Sequence, residues 1–143
     1  MICISNNHKY CKFIKYDGMT KSILVVEDDK DLLNLYNEIL EMHGFDVSMA
    51  SNGEEGVTKF GEIEPSLVIM DGDMPVLDGY GAFEQIKALD KDANVVIVTG
   101  MPEYEKKNQE AIKKGLIKVI SKPVGVDQLV ELATKYSEIK VQE

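Results

Sequence analysis

The stretch Leu67-Val68-Ile69-Met70-Asp71-Gly72-Asp73-Met74-Pro75-Val76-Leu77-Asp78-Gly79 decides the fold. Four apolar residues stop at a carboxylate, and turn-forming residues follow at once. A short buried run of this kind reads as a strand that delivers Asp71 to its C-terminal mouth, where α/β sheets bind ligands. An earlier run has the same layout: Ile23-Leu24-Val25-Val26, then Glu27-Asp28-Asp29. Two buried strands that bring acids to one edge form a site for a cation and for a phosphoryl group.

Working outward from that stretch, apolar runs alternate with helical periodicity. Strands are expected at Ser22–Val26, Phe45–Ala50, Leu67–Met70, Ala93–Thr99 and Ile117–Ser121. Between the first two, Leu32, Leu35, Tyr36, Ile39 and Leu40 recur at helical spacing, with Gly44 as a C-terminal stop. Asn52-Gly53 opens a helix through Val57 and Phe60, which Gly61 and Pro65 are expected to end. Ala82, Phe83, Ile86 and Leu89 mark a third helix. The fourth, Glu103–Lys114, has a thin apolar face of Tyr104, Ala111 and Ile112. The last runs from Val126 through Leu129, Val130, Leu132, Ala133 and Tyr136. Five βα units in a row predict one α/β domain, a doubly wound parallel sheet with helices on both faces.

The bulk properties exclude several classes. The chain has 143 residues, enough for one domain with a core. Its formal net charge of −9 argues against a nucleic-acid partner, because phosphate-backbone binding needs a basic face. No apolar run approaches the roughly 20 residues that span a bilayer, and the start carries no apolar core of export-signal length. Cys3 and Cys11 read as free thiols of a reducing, cytoplasmic protein. Residues 1–18 are net basic (Lys9, Lys12 and Lys15 against Asp17) and stand outside the βα pattern. They are expected to be a poorly ordered extension, or to precede a true start at Met19, with one domain over 19–143 and no output domain.

Four pieces now fall on one sheet edge: Glu27-Asp28-Asp29, Asp71, Thr99-Gly100 and Ser121-Lys122-Pro123. In that order, with Asp-x-x-Met-Pro-x-x-Asp-Gly around Asp71, the chain resembles the CheY-like receiver domain of two-component response regulators from residue 21 to about 140. The resemblance implies a flavodoxin-like five-stranded sheet in the order 2-1-3-4-5. It implies that Asp71 is the phosphoacceptor and that Asp28, Asp71 and the backbone carbonyl of Asp73 bind Mg2+ or Mn2+. Glu27 would act through water, and Thr99 and Lys122 would bind the phosphoryl oxygens. The implied partners are a histidine kinase or histidine phosphotransfer protein and a downstream protein target. The implied state is a cytoplasmic monomer or weak dimer that signals by switched binding or by phosphorelay.

The chemistry suits these residue types. A carboxylate nucleophile forms a reactive acyl phosphate, and phosphoryl transfer is mostly positioning and charge neutralisation. Crowded carboxylates tolerate one another around a hard divalent cation. Lys122 supplies a point positive charge and Thr99 a hydroxyl donor. Other duties stay open: Asp28 or Asp29 can cap the helix that begins near Lys30, and Asp78-Gly79 reads as a structural turn.

Two positions depart from the family pattern. Receivers commonly place Tyr or Phe three residues before the lysine, where this chain has Val119, and an aromatic after Lys-Pro, where it has Val124. The switch region therefore centres on Val119, Gly100 and Met101 without the usual aromatic. An alternative reading takes Asp71-Gly72-Asp73 as the nucleophile and general acid of a haloacid-dehalogenase-type phosphohydrolase. That reading gives no role to Glu27 and Asp28.

Overall fold

The computed structural model describes residues 22–100 and 105–136. Five strands alternate with five helices: β1 (Ser22–Val26), α1 (Lys30–Met42), β2 (Asp46–Ala50), α2 (Gly53–Ile63), β3 (Leu67–Asp71), α3 (Gly79–Leu89), β4 (Val95–Thr99), α4 (Glu105–Lys113), β5 (Lys118–Ser121) and α5 (Val126–Tyr136). All strands are parallel, in the order β2-β1-β3-β4-β5. The expected flavodoxin-like sheet is present.

Strands β1, β3 and β4 are central, and every residue in them is buried. That is why they read as unbroken apolar runs, whereas the outer strands β2 and β5 mix exposed with buried positions. The period of two sorts their side chains onto two faces. Leu24, Val26, Val68, Met70, Val95 and Ile97 pack with Phe60 of α2, Phe83 and Ile86 of α3 and Ala111 of α4. Ile23, Val25, Leu67, Ile69, Val96 and Val98 pack with Leu33, Tyr36 and Leu40 of α1 and Leu129, Leu132 and Ala133 of α5. The sheet thus has a core on each side.

Capping residues fix the helix starts. Asp29 accepts from the amides of Asp31 and Leu32 at the head of α1. Asn52 accepts from Glu55 N at α2, and Asp78 from Gly81 N at α3, 2.8 Å away. Asp29 therefore has the capping duty, and Asp28 is left for other work. Gly44 and Gly115, at φ +88° and +107°, turn the chain after α1 and α4.

Some local expectations fail. Gly61 does not end α2, which continues to Ile63 and closes on Glu64 in the left-handed region at φ +46°. Leu35 is exposed, and Leu33 takes its expected place in the core. Leu89, the last residue of α3, and Val126, the first of α5, are exposed as well. Residues 1–18, Met19, Met101, Glu103 and Tyr104 lie outside the described residues. Among the described residues no helix is long and apolar enough to cross a membrane.

Candidate functional site

The mouths of β1, β3, β4 and β5 open on the same edge, and backbone bonds hold each functional residue there. Glu27 N donates to Ala50 O at 3.0 Å, which carries the β1–β2 ladder one residue past the strand. Asp71 ends β3 opposite Val98, and Gly72 N donates to Val98 O at 2.9 Å just beyond it. Lys122 N donates to Thr99 O at 3.0 Å, so β4 positions the lysine that follows β5. The Lys122–Pro123 peptide is cis.

Side chains converge over these anchors. Lys122 Nζ lies 3.3 Å from Glu27 Oε1 and 3.3 Å from Asp71 Oδ1. Asp73 N donates to Asp71 Oδ1 at 3.2 Å. Carboxylate oxygens of Glu27, Asp28 and Asp71 all lie within 4.8 Å of one another. Glu27 and Asp71 are buried, whereas Asp28 is exposed and opens the cup to solvent. Thr99 is buried beside them at the end of β4.

Three carboxylates face one ammonium, so the pocket holds excess negative charge in a poorly solvated place. Its ionisation shows the strain. Burial, and then the Asp71 charge, push Glu27 up to about 7, against the pull of Lys122. Asp71 is raised too, chiefly by burial, although the Asp73 amide and Lys122 favour its charged form. Burial works against the charge on Lys122, but Asp71 and Glu27 outweigh it and raise its pKa. The buried phenol of Tyr36, on α1, is raised by desolvation and feels the same charges. A divalent cation among the three acids relieves this crowding, and a donor set of hard carboxylate oxygens open to water suits magnesium. The residues present fit such an ion.

Close backbone packing completes the cup. A Cβ on Gly79 would meet Asp71 O at 2.2 Å, so Asp78-Gly79 is more than a turn. Only glycine lets the head of α3 approach the end of β3. A Cβ on Gly72 would lie 3.2 Å from Tyr80 Cε2, 3.2 Å from Ile97 Cγ2 and 3.3 Å from Thr99 Cβ.

The structure thus gathers Glu27, Asp28, Asp71, Thr99 and Lys122, with the Asp73 backbone beside them. Val119 is not in the cup. It is half-buried, pairs in register with Ile97, and packs on the face of α2, α3 and α4. Gly100 is exposed at the end of β4. Reading the sequence missed Tyr80, whose ring closes over Gly72. Its position three before Phe83 on one helical face was the available signal.

Comparison with known proteins agrees with this geometry. The family model described as response regulator receiver domain matches residues 23–134. The chain is 38% identical over 105 residues to the chemotaxis protein CheY of Halobacterium salinarum, covering 73% of this chain and 87% of that one. A receiver domain protein of Clostridium thermocellum superposes with a TM-score of 0.76 at 30% identity, over 81% of this chain and 93% of that one. The response regulator TrrA of Thermotoga maritima, solved in complex with Mg(2+)-BeF, superposes at 0.72 and 30% identity, over 80% and 97% of the two chains. With fold, acidic cup and matched sequence in agreement, this chain belongs to the response regulator receiver domain family.

Proposed function

We propose that the protein is a stand-alone receiver that takes a phosphoryl group onto Asp71 from a histidine kinase or a histidine phosphotransfer protein. The observation that carries this reading is the Asp71 carboxylate at the mouth of β3, 3.3 Å from Lys122 Nζ and grouped with Glu27 and Asp28. Asp71 attacks phosphorus in line. An O–P bond forms to the carboxylate, and the donor's bond to phosphorus breaks with its electron pair leaving on the donor. Lys122 neutralises charge on the transferred group, and the Thr99 hydroxyl donates to one of its oxygens. Asp28, Asp71 and the Asp73 carbonyl would hold Mg2+ or Mn2+, with Glu27 acting through water. The ion, when bound, supplies the positive charge that lets phosphate approach three acids.

Receivers are not conventional enzymes, so the phosphohydrolase alternative falls away. The phosphorylated chain then binds a protein target or passes the group on. Support for the cation comes from the relative solved with Mg(2+)-BeF. The test is labelling by a small acyl phosphate with Mg2+, followed by mapping of the modified residue. Wild type is expected to label on Asp71, Asp71→Asn not at all, and Asp28→Asn slowly. Undiminished labelling of Asp71→Asn would remove the proposal. A chain starting at Met19 is expected to label as the full chain does, because every residue of the cup follows it.

A further inference from the structure

We propose that Tyr80 couples the phosphoryl site to α4, in the role that position 119 cannot fill here. This inference rests on the reading of Asp71 and Thr99 given above. Val119 is short and fixed at χ1, so it has no second position to occupy. Tyr80 faces the same side of the sheet as Val119 and is only 8% exposed. One edge of its ring abuts the space over Gly72, the residue after Asp71, where Thr99 and Ile97 also converge. At its other end the phenol hydroxyl donates to Asn108 Oδ1 on α4. Tyr80 therefore touches the surroundings of both Asp71 and Thr99 with its ring and grips α4 with its hydroxyl.

The way α4 is attached gives that grip its importance. Ala111 is the only buried residue in α4, so apolar packing holds the helix weakly. Two ion pairs among the described residues also join the ends of these helices: Lys114, just past α4, to Glu84 of α3, and Lys107 Nζ of α4 to Oδ2 of Asp78, the cap of α3, at 3.7 Å. Both pairs are largely exposed, and such pairs contribute little. The Tyr80–Asn108 bond is part-buried, with Lys107 Nζ 5.6 Å above the Tyr80 ring centroid. A cleft of about 250 Å³, lined in part by Tyr80, Phe83, Lys107 and Ala111, lies between α3 and α4 and leaves the helix room to shift. When Thr99 turns toward a phosphoryl group, the packing over Gly72 changes and the Tyr80 ring must follow. The hydroxyl carries that displacement to Asn108.

Hydrogen exchange over residues 105–113 tests this, measured on the full chain with and without Mg2+ plus beryllofluoride. The 19F signal of bound beryllofluoride, recorded on the same samples, reports occupancy. In wild type, occupancy is expected to change exchange in α4. Tyr80→Phe keeps the ring and removes the hydroxyl. Exchange in α4 is then expected to be about fivefold faster without ligand, the loss of one hydrogen bond. The response to beryllofluoride should vanish while the 19F occupancy stays. Asn108→Ala removes the same bond from the helix surface and should behave alike, without any change to the core. Variants that respond as wild type does, or a wild-type α4 that ignores occupancy, would overturn the inference. Wild-type protein that shows no bound 19F signal would overturn the phosphoryl-site reading itself, and the coupling with it.

Discussion

Lys122 Nζ stands 3.3 Å from Asp71 Oδ1, and the backbone of the same lysine is anchored to Thr99 O at 3.0 Å. The ammonium is the one cation facing this crowd of acids among the described residues. Lys122→Ala removes it and leaves two buried carboxylates without a counter-charge. The expected loss of stability is about 2 kcal/mol at neutral pH, below the roughly 3–5 kcal/mol of a fully buried pair because Lys122 is 27% exposed. Urea denaturation with and without Mg2+ checks both halves of this expectation: the variant should lose stability without the ion and recover much of it with the ion. Equal stability of variant and wild type without Mg2+ would contradict the electrostatic account.

Glu27 sets the pH response. Its folded-state pKa is raised from the ordinary 4.5 to about 7, so the folded chain binds its proton more tightly than the unfolded chain does. Without a cation, the stability linked to this group is fully present below about pH 4.5 and is lost as pH rises toward 7. A shift of that size corresponds to about 3 kcal/mol. A divalent ion competes with the same proton, so Mg2+ affinity should rise up to about tenfold per pH unit below 7 and level off above it. Calorimetric titration in buffers of different ionisation enthalpy reads this directly. Below pH 7 the protein should release protons on binding Mg2+, and the release should fade in Glu27→Gln.

Val76 holds φ at +73°, a conformation that a β-branched residue adopts only under strain, and its side chain is 76% exposed. Val76→Gly relieves the strain and surrenders almost no burial. Set against the entropy that glycine loses on folding, the variant should be more stable by about 1 kcal/mol. The urea midpoint should rise with an unchanged denaturant slope, and labelling of Asp71 should continue at the wild-type rate.

Gly79→Ala probes the opposite situation. The added methyl would meet the Asp71 carbonyl at 2.2 Å, so either β3 or the head of α3 must move. A stability loss of about 2–3 kcal/mol is expected from overpacking against backbone. Labelling should slow as well, because the displaced strand end carries Asp71, the proposed acceptor. An unshifted melting curve would show that the close approach is relieved without effort.

Much of this was legible in the chain. The central strands were readable because β1, β3 and β4 are buried on both faces, so their sequences are apolar without interruption. The strand ends were readable for the same reason: Glu27, Asp71 and Thr99 are where the apolar runs stop. Helix faces were harder. Leu32, Leu33 and Leu35 all suit a helical period, and only the placement of α1 on the sheet decides that Leu33 is buried and Leu35 exposed. Gly61 looked like a stop, yet open space surrounds it and the left-handed residue that closes α2 is Glu64. Tyr80 escaped notice because its contact with Gly72 and its bond to Asn108, 28 positions away, are tertiary. Local pattern shows only that Tyr80 shares the buried face of α3 with Phe83.

The pair Lys122 and Glu27 spans 95 positions of sequence. Between them lie the other four strands of the sheet, of which β3, β4 and β5 must pair outward from β1 before the ammonium reaches its carboxylates. On the ribosome, Asp71 emerges well before Lys122, and until β5 docks beside β4 no cation stands opposite it. A half-made chain therefore displays Asp71 without the ammonium that faces it in the finished sheet. The counter-charge that the proposed acceptor needs therefore arrives in one step, with the closing of the far edge of the sheet.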